Sequence, residues 1–342
     1  MADEVAEYII KYRLARAALG LELLGCILEW EDFDAEADAV ALDDAIRGAG
    51  TDEDAIIEIL ANRTNEQRQM IAFKYRACFG KDLKEELRDE VRGNLEKTVE
   101  ALMDSPPMYD AKTLRAAMKG LGTDEDTIIE IMCTRVNGEI EAIKMAYQIE
   151  FDRDLAEDLE SETSGNFKYL MQCICAGGRD ESGEEVDEDK AVEDAQELFD
   201  AGEDRWGTDE NVFNRILATR SFPQLRATFL AYNGIAGCDI EDSIRDECMG
   251  DLQDGYLAIV SRAREVGQYF AERLYDSMKG AGTDEDKLIR IVISRSEIDL
   301  KRIKIAFFAK YGQTLHAFIE DDCAGDFKKM LLAILHGEND EE

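Results

Sequence analysis

The sequence predicts an all-α protein built from four repeats. Only 3 of its 342 residues are proline, which favours long helices over turn-rich β structure. A Gly-Thr-Asp tripeptide occurs four times, at residues 50–52, 122–124, 207–209 and 282–284. Hydrophobic residues make up 45% of the chain, and after the tripeptides they recur with a helical period. Because a helical repeat of about 70 residues cannot bury its apolar faces alone, we expect neighbouring repeats to pack together.

Four further positions recur at fixed distances from the first glycine of each tripeptide. An arginine follows after 13 residues, an aromatic residue after 25, an acid after 40 and another glycine after 43. The arginines are Arg63, Arg135, Arg220 and Arg295; the aromatic residues are Tyr75, Tyr147, Tyr232 and Phe307; the acids are Glu90, Glu162, Glu247 and Asp322; the glycines are Gly93, Gly165, Gly250 and Gly325. We expect the arginine either to cap helix carbonyls or to pair with a carboxylate. The aromatic residue is predicted to lie in the core.

The threonine of each tripeptide is a predicted start of a helix. An aspartate three residues after the threonine makes the threonine a predicted N-cap with a short capping-box partner in three repeats. The pairs are Thr51 with Asp54, Thr123 with Asp126, and Thr283 with Asp286. Apolar residues with a helical period follow each pair, as expected for a helix with one buried face.

The charge of the chain excludes one class of partner. Asp and Glu number 77 against 40 Lys and Arg, a net charge of −37, whereas binding to a nucleic acid backbone requires a basic face. Residues 180–204 hold 13 of these acids and a single base, Lys190. We expect this linker to be a solvated connection that continues into a helix at residues 191–201. A calcium-buffering role is the alternative, although the acids lack the ordered spacing of a calcium-binding loop.

Cysteine usage and hydropathy predict a cytoplasmic protein. The 8 cysteines show no CxxC spacing and lie mostly in apolar runs, as expected for reduced, buried thiols of an intracellular protein. No stretch reaches the length of about 18 apolar residues that a membrane span needs. The start of the chain is acidic, unlike a secretory signal.

The glycines beside the tripeptides point to a metal site. Repeats 1, 2 and 4 read Gly-x-Gly-Thr, and glycine tolerates the positive φ that turns loop carbonyls outward. Carbonyl oxygens with one carboxylate, from the acid 40 residues on, form an oxygen-only set that suits Ca²⁺. About five protein oxygens fall short of the 6–8 that Ca²⁺ takes, so a lipid phosphate can complete the shell and strengthen calcium binding. The alternative is a tight turn between helices without a ligand.

These motifs resemble the annexin family. The marks are Met-Lys-Gly-x-Gly-Thr-Asp-Glu-Asp at 118–126 and 278–286, its variant at 46–54, and Trp-Gly-Thr-Asp-Glu at 206–210. The resemblance covers about residues 33–338. It implies four annexin-type repeats of about five helices each, packed as a slightly curved disc. The convex face of that disc carries calcium and meets anionic phospholipid.

The resemblance also implies ligands and boundaries. The implied calcium ligands are Ile46, Gly48, Gly50 and Glu90 in repeat 1; Met118, Gly120, Gly122 and Glu162 in repeat 2; Gly202, Arg205, Gly207 and Glu247 in repeat 3; and Met278, Gly280, Gly282 and Asp322 in repeat 4. All four principal sites are therefore present. The implied segments are a head at 1–32, repeats at 33–104, 105–177, 192–263 and 264–338, an acidic linker at 178–191 and an acidic tail at 339–342.

Two features outside the ligands carry expectations of their own. Trp206 stands on the third calcium loop, and we expect it to contact the membrane, because tryptophan suits the bilayer interface. In the head, Leu19, Leu23, Cys26 and Trp30 have the spacing of one helix face. That helix would bind a protein partner, associate with a second copy, or pack on its own core.

Three functional classes compete. The first is calcium-dependent binding to anionic phospholipid, such as phosphatidylserine. The second is a helical-repeat scaffold for protein partners, which has no need of the repeated acids. The third is an enzyme, and the sequence predicts none: the only two histidines, His316 and His336, belong to no repeated constellation, and catalytic motifs are missing.

Overall fold

The computed structural model describes residues 24–47, 50–183, 185–202, 209–280 and 282–336. These residues form twenty α-helices and contain no β-strand, which confirms the predicted all-α fold of four repeats. Each repeat holds five helices. None of the described helices is long and apolar enough to cross a membrane.

The helix bounds repeat the same pattern four times. Repeat 1 contains α1 (Ala35–Ile46), α2 (Glu53–Ala61), α3 (Asn65–Phe79), α4 (Leu83–Glu90) and α5 (Gly93–Met103). Repeat 2 contains α6 (Pro106–Ala117), α7 (Glu125–Thr134), α8 (Asn137–Phe151), α9 (Leu155–Glu162) and α10 (Gly165–Cys175). Repeat 3 contains α11 (Glu188–Ala201), α12 (Glu210–Thr219), α13 (Phe222–Ala236), α14 (Ile240–Glu247) and α15 (Gly250–Arg264). Repeat 4 contains α16 (Val266–Met278), α17 (Glu285–Arg295), α18 (Leu300–Tyr311), α19 (Leu315–Asp322) and α20 (Gly325–Leu335).

The repeats pair into two compact units. The central unit contains Pro107–Val266, which is repeats 2 and 3, and the terminal unit contains Glu22–Pro106 with Gly267–Glu342, which is repeats 1 and 4. In each unit the second helix of one repeat packs against the fifth helix of the other. The pairs are α7 with α15 and α10 with α12 in the central unit, and α2 with α20 and α5 with α17 in the terminal unit. Each repeat thus covers an apolar face that its partner leaves open.

The repeated arginine pairs with a carboxylate, one of its two predicted roles. Arg135 donates from Nε and Nη2 to the two carboxylate oxygens of Asp110 at 2.7 and 2.9 Å. Both side chains are buried, at 2% and 3% exposure. The arginines of repeats 1 and 3 pair in the same way with Asp38 and Asp194. Each of these aspartates lies on the first helix of its repeat, so the pair ties the end of the second helix to the first.

In repeat 4 the repeated arginine has different partners. The position of the aspartate is taken by Phe270, and the guanidinium of Arg295 lies over that ring, 4.6 Å from its centroid. Arg295 pairs instead with Asp299, four residues further on in the turn before α18, at 2.6 and 2.7 Å. A cation over an aromatic face and a local ion pair therefore replace the pair between helices.

The repeated aromatic residues lie in the core, as predicted. Tyr75, Tyr147, Tyr232 and Phe307 are all completely buried. The Tyr147 hydroxyl donates to Asp158 at 2.6 Å and the Tyr232 hydroxyl to Ser243 at 2.9 Å. Burial is the main reason that the pKa of Tyr147 rises to about 12. A buried hydroxyl needs such a partner, since leaving it unbonded would cost about 1–3 kcal/mol.

The predicted threonine N-caps are wrong by one residue. The aspartate after each threonine caps the helix in repeats 1, 2 and 4, and its side chain accepts a backbone N–H of the first turn. The bonds run from Ala55 to Asp52 at 3.0 Å, from Thr127 to Asp124 at 3.1 Å and from Lys287 to Asp284 at 3.0 Å. A carboxylate is favoured there because it also meets the positive end of the helix dipole. The threonine hydroxyl is left for another contact, described below.

The helix predicted across the head is wrong for its described part. Leu24–Leu28 has no helical structure and instead pairs with the chain around the start of α18: the amide of Leu24 donates to the carbonyl of Ile298 at 2.8 Å, and the amide of Lys301 donates to the carbonyl of Leu24 at 2.9 Å. Cys26 is buried, while Trp30 stays partly exposed under the guanidinium of Arg63. The described part of the head thus packs on its own chain. Leu19 and Leu23 lie outside the described residues.

The linker leads into a helix, as predicted, but the helix begins earlier. The sequence predicts residues 191–201, and α11 begins at Glu188. Asp187 explains the early start, because its carboxylate accepts the amide of Lys190 at 2.9 Å as an N-cap.

Candidate metal centres

The loop between the first and second helices is closed in the same way in every repeat. The amide of the tripeptide aspartate donates to a carbonyl at the end of the first helix. The four bonds are Asp52 to Ala45 at 2.9 Å, Asp124 to Ala117 at 2.9 Å, Asp209 to Ala201 at 2.8 Å and Asp284 to Ser277 at 2.7 Å. This clamp holds the two ends of the loop together in each repeat.

Within the bend, the glycines adopt a backbone conformation that other residues avoid. The φ angles are 125° at Gly50, 128° at Gly120, 95° at Gly122, 99° at Gly280 and 107° at Gly282. A Cβ added at any of them would meet no atom within 4 Å, so the backbone angle and not the available space requires glycine. Among the hydrogen bonds that join described residues, none ends on the carbonyl oxygens of these five glycines.

The threonine of the tripeptide brings the distant acid to the loop. The hydroxyl of Thr51 donates to the Glu90 carboxylate at 3.0 Å, and the hydroxyl of Thr283 donates to the Asp322 carboxylate at 2.5 Å. In repeat 2 the hydroxyl of Thr123 donates to the backbone carbonyl of Glu162 at 3.3 Å. An acid that lies 40 residues away in sequence is therefore beside the glycine loop in these three repeats.

The described part of repeat 3 contains two of its four predicted ligands. Gly202 ends α11, and Glu247 ends α14 with a partly exposed side chain. Arg205, Gly207 and the predicted membrane contact Trp206 lie outside the described residues, as does Gly48 of repeat 1. The apolar ligand positions Ile46, Met118 and Met278 have buried side chains, so only their carbonyls can face a cation.

The two acids of the terminal unit share one cleft. A cavity of about 520 Å³ is lined by Glu90 and Asp322 together with Glu53, Glu285 and Asp326. Arg92 is the one basic residue in its lining. Five carboxylates against one guanidinium leave the cleft with a strong negative potential, which attracts cations.

The chemistry of the donors fits Ca²⁺. No group of three or more His, Cys, Asp or Glu side chains among the described residues is arranged to hold a metal, so a nitrogen- or sulfur-rich site is not found there. Carbonyls with one carboxylate per loop are the hard oxygen ligands of Ca²⁺. The cysteines next to the acids do not compete: Cys248 and Cys323 are buried, and burial raises the pKa of both thiols to about 11.

The structure explains two repeated features of the sequence: an aspartate that the repeat motifs leave out, and the glycine 43 residues after the tripeptide. An aspartate stands 12 residues before the first tripeptide glycine in repeats 1 and 2, and 13 before it in repeat 3, and it is the partner of the repeated arginine. The glycine 43 residues on has a φ between 57° and 67° in all four repeats, which explains why it recurs.

Comparison with known proteins agrees with this arrangement. A family model for annexins matches the chain four times, at residues 37–102, 109–174, 193–259 and 269–334. The chain belongs to the annexin family. Human annexin A13 is 53% identical to this annexin over 306 residues, which cover 90% of this chain and 96% of that protein.

Solved annexin structures share the fold. Annexin III superimposes with a TM-score of 0.91 at 45% identity, and the match covers 93% of this chain and 99% of that one. A crystal structure of calcium-bound annexin (Sm)1 has a TM-score of 0.83 at 32% identity and covers 93% of this chain and 94% of that one. Annexins generally bind phospholipid in a calcium-dependent manner and are known as non-enzymatic membrane-binding proteins.

Proposed function

We propose that this annexin binds anionic phospholipid membranes through calcium ions held in its four loops. The observation that supports the proposal is the hydrogen bond from the loop threonine to the distant carboxylate in repeats 1 and 4, because each threonine directly follows a loop glycine. The proposed ligands are the carbonyls of Ile46, Gly48 and Gly50 with Glu90; Met118, Gly120 and Gly122 with Glu162; Gly202, Arg205 and Gly207 with Glu247; and Met278, Gly280 and Gly282 with Asp322.

Phosphate and calcium strengthen each other in this arrangement. About five protein oxygens per loop leave room in a coordination shell of 6–8, and a lipid phosphate oxygen fills it better than water when the lipid is anionic. By linkage, the phosphate then tightens calcium binding by the same factor as calcium tightens phosphate binding. The calcium-bound structure of the relative annexin (Sm)1 supports calcium as the ion.

The net charge of −37 makes the binding conditional on calcium. Without the ion, the acidic surface is repelled by anionic lipid. Four bound Ca²⁺ ions cannot cancel the total charge, so they act on one face, within a screening length of about 8 Å. We therefore propose a cytoplasmic protein that is recruited peripherally when calcium rises, with Trp206 entering the interface beside the third loop.

Sedimentation with vesicles tests the proposal. The full chain is mixed with phosphatidylserine–phosphatidylcholine vesicles across a calcium titration. We expect pelleting with calcium and none without it. Pelleting that ignores calcium, or no pelleting at all, would refute the proposal.

A charge-matched pair of variants tests the ligands. The first carries the substitutions Glu90→Gln, Glu162→Gln, Glu247→Gln and Asp322→Asn. The control carries Asp89→Asn, Glu160→Gln, Asp246→Asn and Asp321→Asn, which remove the same four charges from exposed neighbours. We expect the first variant to need at least about tenfold more calcium than the control, the change expected when each site loses about 1.4 kcal/mol of binding free energy. Equal calcium requirements would show that these acids are not ligands.

A further inference from the structure

In repeats 1 and 4, the threonine after the glycine loop restrains the side chain of a proposed calcium ligand. The hydroxyl of Thr51 donates to the Glu90 carboxylate at 3.0 Å. The hydroxyl of Thr283 donates to the Asp322 carboxylate at 2.5 Å. A carboxylate has about four lone-pair sites, so one accepted hydrogen bond leaves room for both of its oxygens to bind Ca²⁺. The threonine can therefore hold the acid without competing with the ion.

Repeat 2 has a threonine and an acid at the same positions, but the bond between them is different. The hydroxyl of Thr123 donates to the backbone carbonyl of Glu162 at 3.3 Å. The Glu162 side chain is exposed, and no other residue in the described part of the chain donates a hydrogen bond to its carboxylate. The threonine of repeat 2 thus restrains the backbone at Glu162 and leaves the carboxylate unrestrained.

The surroundings of the acids in repeats 1 and 4 also favour calcium. Both acids line one cleft with three further carboxylates and a single guanidinium; the further acids are Glu53, Glu285 and Asp326. The negative potential of this cleft raises the local concentration of cations. The potential and the restrained carboxylates therefore act in the same direction in the terminal unit.

We propose that Thr51 and Thr283 are positioning residues whose hydroxyls hold the two acids ready for Ca²⁺, so that repeats 1 and 4 fill at lower calcium concentrations than repeat 2. This inference rests on the proposed function, since the acids must be calcium ligands. Ion binding fixes the rotamer of a ligand side chain, and a carboxylate that is already held loses less conformational entropy. Removing a group that hydrogen-bonds to a metal ligand typically costs about 10–100-fold in metal affinity. The terminal unit therefore responds to calcium ahead of repeat 2.

The amide signals of three glycines distinguish the sites within one molecule. The full chain, labelled with ¹⁵N-glycine, is titrated with calcium in the absence of lipid. The NMR signals of Gly50, Gly122 and Gly282 then report on repeats 1, 2 and 4. We expect Gly50 and Gly282 to reach half-saturation at about tenfold less calcium than Gly122, the lower end of the range for such a hydrogen bond.

Valine variants test the hydroxyls themselves. Thr51→Val removes the hydrogen bond and keeps a branched side chain, so we expect Gly50 to need about tenfold more calcium for half-saturation, with Gly282 unchanged in the same molecule. Thr51→Ser keeps the hydroxyl and should match the wild type. Thr123→Val is the matched control, because its hydroxyl does not hold a carboxylate, and half-saturation at Gly122 should change by less than about twofold.

The outcomes separate this inference from the proposed function. Equal half-saturation at Gly50 and Gly122 in the wild type, or no change at Gly50 in Thr51→Val, refutes the inference while the proposed function stands. If Thr51→Val weakens calcium binding at all three glycines alike, the threonine stabilises the fold and does not position one acid, and the inference is again refuted. If none of the three signals responds to calcium, both fail.

Discussion

The central and terminal units share one helix arrangement but differ in what surrounds their loops. In both units the second helix of one repeat packs on the fifth helix of the other, and the same backbone clamp closes each loop. The central unit adds large apolar side chains, Leu121 and Met249, whereas the terminal unit adds a cleft lined by five acids. The backbone clamp is therefore common to all the loops, whereas the side chains around the loops differ between the two units and give each unit its own surface chemistry.

The same contrast runs through the interior. The buried arginine of repeat 2 is held by a carboxylate on another helix, while that of repeat 4 is held by a ring and by a carboxylate on the next turn. A structural position is thus kept while its partner changes. Three pairs of substitutions test these differences.

The largest expected effect comes from breaking the buried ion pair of the central unit. Asp110→Ala removes the carboxylate that accepts two hydrogen bonds from the guanidinium of Arg135, which is buried at 2% exposure, and we expect a loss of about 3–5 kcal/mol in the free energy of unfolding. Urea unfolding followed by circular dichroism measures the loss, and hydrogen exchange shows whether it falls within Pro107–Val266.

The corresponding change in repeat 4 is the comparison. Asp299→Ala removes the carboxylate from Arg295, but the ring of Phe270 remains against the guanidinium. Because a cation–π contact of about 1–2 kcal/mol is retained, we expect a clearly smaller loss. Equal losses in the two variants would show that the two ways of holding the arginine are energetically the same.

The second effect concerns the described residues of the head, 24–32, which belong to the terminal unit. A Cβ at Gly25 would lie 2.5 Å from the carbonyl carbon of Glu297. That atom belongs to the backbone, so it cannot move away as the end of a flexible side chain could. We expect Gly25→Ala to destabilise the terminal unit by about 1–3 kcal/mol, as overpacking does, and to increase hydrogen exchange at the amides of Leu24 and Cys26.

Gly234 provides the matched control for Gly25. It lies inside α13, where an added Cβ meets nothing within 4 Å, so alanine should stabilise the helix by up to about 1 kcal/mol. If Gly25→Ala behaved like Gly234→Ala, the close contact of the head with Glu297 would be disproved.

The sequence predicts the repeated features of this fold well because each recurs four times. Helical class, repeat number and buried aromatic residues all follow from spacing. For the arginine the spacing leaves two roles open, and the structure shows the pair with a carboxylate in all four repeats. The predicted N-caps failed at Thr51 and its counterparts because the choice between threonine and aspartate depends on a contact 39 residues away. A local pattern cannot show that the threonine hydroxyl is already used by Glu90.

The prediction of a helix in the head fails for a similar reason. The spacing of Leu19, Leu23, Cys26 and Trp30 fits a helix face, but the described part pairs its backbone with the chain around the start of α18. A paired segment of only five residues is too short to show a clear period of its own, so the sequence pattern does not distinguish it from a helix. The sequence also does not predict that Leu121 and Met249 are exposed, since an apolar residue in a loop is equally compatible with burial.

The smallest expected effect distinguishes repeat 2 from the other three. The third helix ends on a left-handed glycine in repeats 1, 3 and 4, namely Gly80, Gly237 and Gly312, with φ between 70° and 74°. Repeat 2 has Asp152 there, with φ 52°. An aspartate in this region is strained, so Asp152→Gly should stabilise the protein by about 0.5–1 kcal/mol, part of the gain being offset by the greater freedom of glycine in the unfolded chain.

The reverse change, Gly237→Asp, should lower the free energy of unfolding by a similar amount. An added Cβ at Gly237 meets no atom within 4 Å, so only the backbone angle opposes the substitution. The urea midpoints of the two variants measure both values. A loss of stability in Asp152→Gly would mean that the exposed hydrogen bond from Gln148 to Asp152, at 3.2 Å, outweighs the strain, and repeat 2 would then end its helix by a side-chain contact that the other repeats do not use.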